Sequence, residues 1–177
     1  GSNRSKNQNK NKSQNSSTNS SKNANDEREI ASITKIMTAL LAMKYADLSQ
    51  EVTISYTPEG LESSAVLCGF EQGDKMMLSS LLSAALIYSG NDAAIDIAIA
   101  VAGSQEAFVD MMNQESKELM TSHTHFANPT GLTQSKHYSS VYDVYLMFQE
   151  CLKYPTFRDI IARGSCLLYT SDAADEL

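Results

Sequence analysis

The 177 residues contain no apolar run approaching the length of a membrane span, so no bilayer-crossing helix is expected within them. Near the start there is neither an initiator methionine nor an apolar stretch of the signal-peptide kind. Gly1 to Lys6 read equally as a cloning remnant, a processed end or the edge of a fragment. Cysteine is scarce and odd in number: Cys68, Cys151 and Cys166 have no paired spacing, which argues against a disulfide framework and against a zinc site. His123 and His125 offer two imidazoles, but no Cys, Asp or Glu stands at a useful spacing, so neither a metal nor a cofactor is expected. Residues 1 to 22 lack acids and hold Arg4, Lys6, Lys10, Lys12 and Lys22, which leaves the remainder strongly acidic. This basic stretch has no aromatic to stack on a base and no dense Arg/Lys block. It reads as a solvated, disordered Asn/Ser/Lys tether over 1–25, and nucleic acid is not expected as a partner.

What is there begins near Asp26. Ile36, Met37, Leu40, Leu41 and Met43 recur at helical spacing after Ser32. Glu51 to Ser55 alternate and are β-branched, a short strand, and Lys75 to Leu78 are placed to pair back on them. Between the two lies a long loop carrying Pro58, Gly60, Gly69 and Gly73. Helices then follow one another: one capped by Ser79 or Ser80 and stopped by Gly90, an almost wholly small and apolar one ending at Gly103, and one capped by Ser104. In the last of these Phe108, Met111, Met112, Glu115 and Leu119 mark successive turns. Asn128-Pro129 and Thr130-Gly131 signal a loop, Ser139 or Ser140 starts another helix, and Pro155 opens one further short helix. Residues 165–177 continue no pattern. They resemble the translated end of a transposon adapter used in sequencing libraries and are expected to be non-native, which leaves 26–164 as the folded unit.

Two short strings carry chemistry. Ser32 and Lys35 stand three apart at the mouth of the first apolar helix, and residues three apart share a helix face. One reading is plain capping, with the Ser32 hydroxyl on the helix end and Thr34 and Lys35 facing water. The other is a nucleophile beside its base. Ser89, Gly90 and Asn91 form a tight break between two apolar helices, which is either an ordinary turn or a rigidly held hydroxyl and carboxamide.

Ser32-x-x-Lys35 and Ser89-x-Asn91 together resemble two of the three motifs of the penicillin-binding proteins and class A β-lactamases. "ASITKIMTALL", "SAALIYSGNDAA", "AFVDMMNQESKELM" and "THFANPTGL" stand in the order and spacing of the D-alanyl-D-alanine carboxypeptidases, the low-molecular-weight penicillin-binding proteins. The resemblance runs from about Asn23 to Arg163. No Glu-x-x-Leu-Asn follows Asn91, which sets the β-lactamases aside. The resemblance implies an α+β fold, of which these residues supply mainly the helical half with at most a short β-hairpin.

It also implies a mechanism and partners. Ser32 would attack the carbonyl of a terminal D-Ala-D-Ala bond, with Lys35 taking its proton once burial beside Ile36 and Met37 or the helix N-terminus has destabilised the ammonium. The helix end would offer backbone N–H groups to the oxyanion, Ser89 would relay a proton to the leaving amine, and Asn91 would hold the substrate amide and steady Lys35. Asp92 and Asp96 are read as structural, Asp92 capping its helix. Ser63 and Ser64 lie in the loop before the second motif, with no assigned role. The implied partners are peptidoglycan stem peptides and β-lactams, outside the cytoplasmic membrane, with a membrane-surface anchor in the full-length parent.

Two departures temper this. The third motif, Lys-Thr/Ser-Gly, is absent, and the tail stands where the family has its first strands; Ile30 replaces a frequent proline. With the sheet faces uncovered, the chain as written is expected to be of low stability, to associate through apolar surface and to hydrolyse no peptide. A non-catalytic cell-wall or interaction domain is the alternative from another class, and a β-lactamase-like hydrolase the third reading.

Overall fold

The structure, a computed structural model, describes residues 30–57 and 59–174, with side chains described as far as residue 164. The basic tail over 1–25 lies outside the described residues, as do the side chains of 165–177. A single 3₁₀ turn, Ser32–Thr34, leads into helix α1, Lys35–Tyr45. Strands β1 (Glu51–Thr53) and β2 (Lys75–Met77) precede five more helices: α2 (Leu78–Ile87), α3 (Asn91–Ala102), α4 (Gln105–Glu118), α5 (Val141–Cys151) and α6 (Pro155–Ala174).

Helix α1 is the hub. Met37, Ala39, Leu40, Leu41 and Ala42 are all buried, so the helix is covered on most of its circumference, and α2, α3, α4 and α5 all pack on it. A helix apolar nearly all round has to sit inside the others. Helix α3 comes close because its contact residues are small: Ala93, Ala94 and Ala98 are buried alongside Ile95 and Ile97. Phe108 and Met112 bring the apolar stripe of α4 into the same core. Glu115 shares that stripe as a buried carboxylate, and it is tolerated because Lys44 donates to both of its oxygens at 2.9 and 2.8 Å and the Tyr45 hydroxyl donates at 3.1 Å. The pairing raises the Lys44 ammonium above its ordinary value.

The two strands pair antiparallel in the register Glu51↔Met77, Val52↔Met76, Thr53↔Lys75, with Val52 and Met76 turned toward the core. The expected short hairpin is therefore present, and among the described residues it is the only sheet. The caps of α4 and α5 are also those expected: Ser104 Oγ accepts from the Ala107 N–H, and Ser140 Oγ from the Asp143 N–H. Gly103 closes α3 in the left-handed conformation at φ 85°.

Three local expectations are corrected. Helix α2 starts at Leu78, without a serine cap, because the Leu78 and Ser79 N–H groups donate to the carbonyls of Gln50 and Leu48. The neighbouring chain does the capping that Ser79 or Ser80 was expected to do. The stretch after Ala31 opens as a 3₁₀ turn with no side-chain cap, so Ser32 does not cap α1. Helix α6 runs through Ala174 rather than ending as a short helix; Pro155 suits its first turn, and no proline beyond it interrupts the backbone.

Candidate active site

The sequence brings Ser32, Lys35, Ser89 and Asn91 to the junction of three elements: the 3₁₀ turn leading into α1, the break between α2 and α3, and the loop over 127–137. The Ser89 hydroxyl donates to Ser32 Oγ at 2.7 Å. Lys35 Nζ donates to Asn91 Oδ1 at 2.9 Å and to the Thr130 carbonyl at 2.7 Å. Lys35 is only 3 % exposed whereas Ser32 is exposed, so the hydroxyl of the motif is accessible and its ammonium is buried. Thr34 is buried too, and the capping reading with Thr34 and Lys35 in water does not hold. Burial lowers the Lys35 pKa from 10.5 to about 8, with Cys68 pulling weakly the other way.

Each side chain is aimed by local backbone. Ser89 has φ 56°, a left-handed conformation that glycine takes most easily, and it terminates α2 while the Gly90 N–H returns to the Ala84 carbonyl. A serine held there stores strain of about 1 kcal/mol or more, and in that conformation its hydroxyl meets Ser32 Oγ. Gly90 leaves room for a neighbour: a Cβ there would lie 2.4 Å from Cys68 Sγ, so a larger residue would have to displace the Cys68 side chain. Asn91 is fixed at both ends. Its N–H and its Nδ2 both donate to the Val66 carbonyl, at 2.9 and 3.1 Å, which turns Oδ1 toward Lys35. Asn91 thus accepts from Lys35 through Oδ1 while one of its carboxamide hydrogens is engaged by Val66.

Asp92 does more than sit at a helix start. Its carboxylate accepts from the N–H groups of Cys68 and Gly69 at 2.9–3.0 Å and pins the 66–69 segment beside the site. Asp96 does the same for Ser55 and Tyr56, at 3.0 and 3.2 Å, and its burial raises its pKa. Ser63 and Ser64 are exposed in the loop. Among the described residues no cluster of three His, Cys, Asp or Glu side chains could hold a metal.

The Thr130 carbonyl is the part of the site that sequence reasoning missed. Asn128 Oδ1 accepts from the Thr130 N–H, the Thr130 hydroxyl and the Gly131 N–H at 3.1, 3.0 and 2.7 Å, folding Asn128 to Gly131 into a tight turn. Gly131, at φ 90°, lies so close to the Ser32 turn that a Cβ would stand 1.9 Å from the Ala31 carbonyl oxygen. The Pro129 carbonyl accepts from the Thr38 hydroxyl at 2.7 Å. The Asn-Pro and Thr-Gly turn signals were readable, but the partner of that turn was not.

Residues 15–163 match the family described as D-alanyl-D-alanine carboxypeptidase. The chain is 42% identical over 136 residues to the D-alanyl-D-alanine carboxypeptidase DacF of Bacillus subtilis (strain 168), covering 74% of this chain and 34% of that protein. It is 30% identical over 149 residues to DacB2 of Mycobacterium tuberculosis (strain ATCC 25618 / H37Rv), covering 83% of this chain and 50% of the relative. Among solved structures, penicillin binding protein 6B from Escherichia coli superimposes with a TM-score of 0.74 at 27% identity, over 78% of this chain and 47% of that one. The chain thus spans a third to a half of the length of these relatives.

Proposed function

Because the chain belongs to the D-alanyl-D-alanine carboxypeptidase family, we propose that it carries the acylating half of a serine carboxypeptidase that removes the terminal D-alanine from peptidoglycan stem peptides. The observation that carries this reading is the pairing of an accessible Ser32, hydrogen-bonded to Ser89 at 2.7 Å, with a Lys35 whose pKa is lowered to about 8. A lysine in that range is part-neutral near physiological pH and can accept a proton, which an ordinary lysine cannot.

In the proposed reaction Ser32 Oγ attacks the carbonyl of the D-Ala-D-Ala bond while its proton passes to Lys35. Ser89, in contact with Ser32, relays a proton to the nitrogen of the departing D-alanine as the C–N bond breaks. Water then attacks the ester, its proton returns through the same groups, and Ser32 is regenerated. Asn91 and the Thr130 carbonyl hold the Lys35 ammonium in place between steps. A β-lactam carbonyl would acylate Ser32 by the same first step.

The remaining partners follow from this reading: stem peptides and β-lactams as ligands, acting outside the cytoplasmic membrane. Among the described residues no helix is long and apolar enough to cross a membrane. No Lys-Thr-Gly or Lys-Ser-Gly occurs in the 177 residues, so turnover is assigned to the full-length protein and not to this segment by itself. The test is covalent labelling of the full-length protein by a fluorescent penicillin. Ser32→Ala should lose all label while keeping its fold by circular dichroism. Label that survives this change places the nucleophile elsewhere and sinks the assignment.

A further inference from the structure

His137 makes two hydrogen bonds that fix its tautomer. The Ala127 backbone N–H, which can only donate, points at His137 Nδ1 at 3.0 Å, so Nδ1 is an unprotonated acceptor. The hydrogen of the neutral ring is then on Nε2, which lies 2.7 Å from the Thr34 hydroxyl. With its oxygen receiving that hydrogen, Thr34 donates its own to the Ile30 carbonyl at 2.8 Å. The three bonds run in one direction, from Ala127 through His137 and Thr34 to Ile30. His137 and Thr34 are 4 % and 1 % exposed, so water does not substitute for either contact.

Thr34 stands between Ser32 and Lys35, and Ala127 immediately precedes the turn that brings the Thr130 carbonyl to Lys35. The Phe126 ring meets the imidazole edge-on at 6.0 Å and closes the other side. We infer that His137 is a positioning residue of the reaction: through Thr34 it holds the turn carrying Ser32 and Lys35 against the 126–131 loop. The inference rests on the acylation proposed above for its catalytic meaning, but the placing of Lys35 is measurable without catalysis.

If the imidazole contact to Thr34 is lost, the loop separates from the turn, water reaches the Lys35 ammonium, and the desolvation that lowers its pKa is relieved. Protonation of His137 acts in the same direction, since a hydrogen on Nδ1 would face the Ala127 N–H. The charged neighbours disfavour that protonation or leave it unaided. His125, from the same loop, lowers the His137 pKa after burial itself, and the turn it packs on presents the uncharged Ile30 and Thr34 before Lys35. Because the native pKa is depressed, the staple is complete above the ordinary histidine value and is lost as pH falls through the native one.

Two substitutions divide the contacts. Asn at 137 places an acceptor near the Nδ1 position and keeps the Ala127 bond, whereas Gln reaches Thr34 with a donor. In the full-length protein, lysine side-chain NMR gives the Lys35 midpoint, a fluorescent penicillin gives the acylation rate, and histidine ¹⁵N shifts give the tautomer. His137→Asn should raise the Lys35 midpoint by about one pH unit or more and slow acylation at neutral pH about tenfold, following the loss of the neutral amine. His137→Gln should keep both within about twofold, and below pH 7 its rate should fall only as Lys35 protonates, without the steeper fall expected of the unmutated protein once His137 charges. A Lys35 midpoint unmoved by His137→Asn overturns the inference, as does a hydrogen found on Nδ1. Equal losses in the Asn and Gln variants that track their melting temperatures also overturn it, since the role would then be structural only. If the unmutated protein takes no label, the acylation reading fails by itself and the lysine titration still decides whether His137 places Lys35.

Discussion

The lowered pKa of Lys35 makes the pH dependence of acylation a quantitative test. The rate should follow the fraction of Lys35 that is neutral. With a pKa of about 8, that fraction is about 0.1 at pH 7, about 0.5 at pH 8 and about 0.9 at pH 9. The second-order rate of penicillin labelling should therefore rise about tenfold from pH 7 to pH 9 and then level off. A lysine at its ordinary value of about 10.4 would behave differently, rising close to tenfold for every pH unit through pH 9. The assay is stopped-time labelling of the full-length protein by a fluorescent penicillin, with spontaneous β-lactam hydrolysis measured separately and subtracted. A plateau near pH 9 supports a base held in a desolvated site. A rate still climbing tenfold per unit above pH 9 refutes the claim that burial tunes Lys35, and a flat profile from pH 7 to 9 refutes its role as base. The same shift has a stability cost. A buried amine whose native pKa is depressed is destabilising wherever it is charged, so at pH 7 the burial of Lys35 costs about 3 kcal/mol, relieved as pH rises from about 8 toward 10.5.

Ser89→Gly removes the left-handed strain and should leave stability equal or higher by up to about 1 kcal/mol while labelling falls at least about a hundredfold; a melting temperature that drops sharply would show that Ser89 is held for packing. Gly131→Ala forces a Cβ onto the Ala31 carbonyl at a positive φ and should destabilise by more than about 2 kcal/mol in denaturant titrations; an unchanged midpoint would mean that the loop does not press on the Ser32 turn. Lys44→Met leaves the buried Glu115 with Tyr45 as its remaining side-chain partner among the described residues and should cost about 1–3 kcal/mol in denaturant titrations; an unchanged midpoint would mean that the ion pair contributes nothing to the fold. Val141, Tyr142 and Tyr145 are exposed on one end of α5, so the 177-residue chain by itself should self-associate with rising concentration in sedimentation velocity; a monomer throughout the range would remove the expectation of exposed-face association.

The sequence by itself determined most of what local chemistry decides. Periodicity located α1, α3 and α4, Ser104 and the Ser139–Ser140 pair announced their helices, Gly103 ended one, and alternation found the first strand, on which Lys75 to Leu78 was placed to pair back. It also offered Ser32, Lys35, Ser89 and Asn91 as candidates, through the resemblance of Ser32-x-x-Lys35 and Ser89-x-Asn91 to two motifs of the penicillin-binding proteins. What it missed are contacts between residues far apart in the chain. Helix α2 is capped by the carbonyls of Leu48 and Gln50 and not by its own serines, and no local pattern records that. Whether Lys35 faced water or the interior was open in the sequence, since three-residue spacing fits both; only the packing of α3 and of the 127–131 loop removed its water and lowered its pKa. Thr130 contributes a backbone carbonyl, which has no residue signature, and His137 reaches Thr34 across 103 residues. Desolvation and hydrogen-bond direction depend on what surrounds a group in three dimensions, so the candidate residues could be named from the sequence, while the burial that lowers the Lys35 pKa and the bonds that Lys35 makes follow only from the tertiary structure.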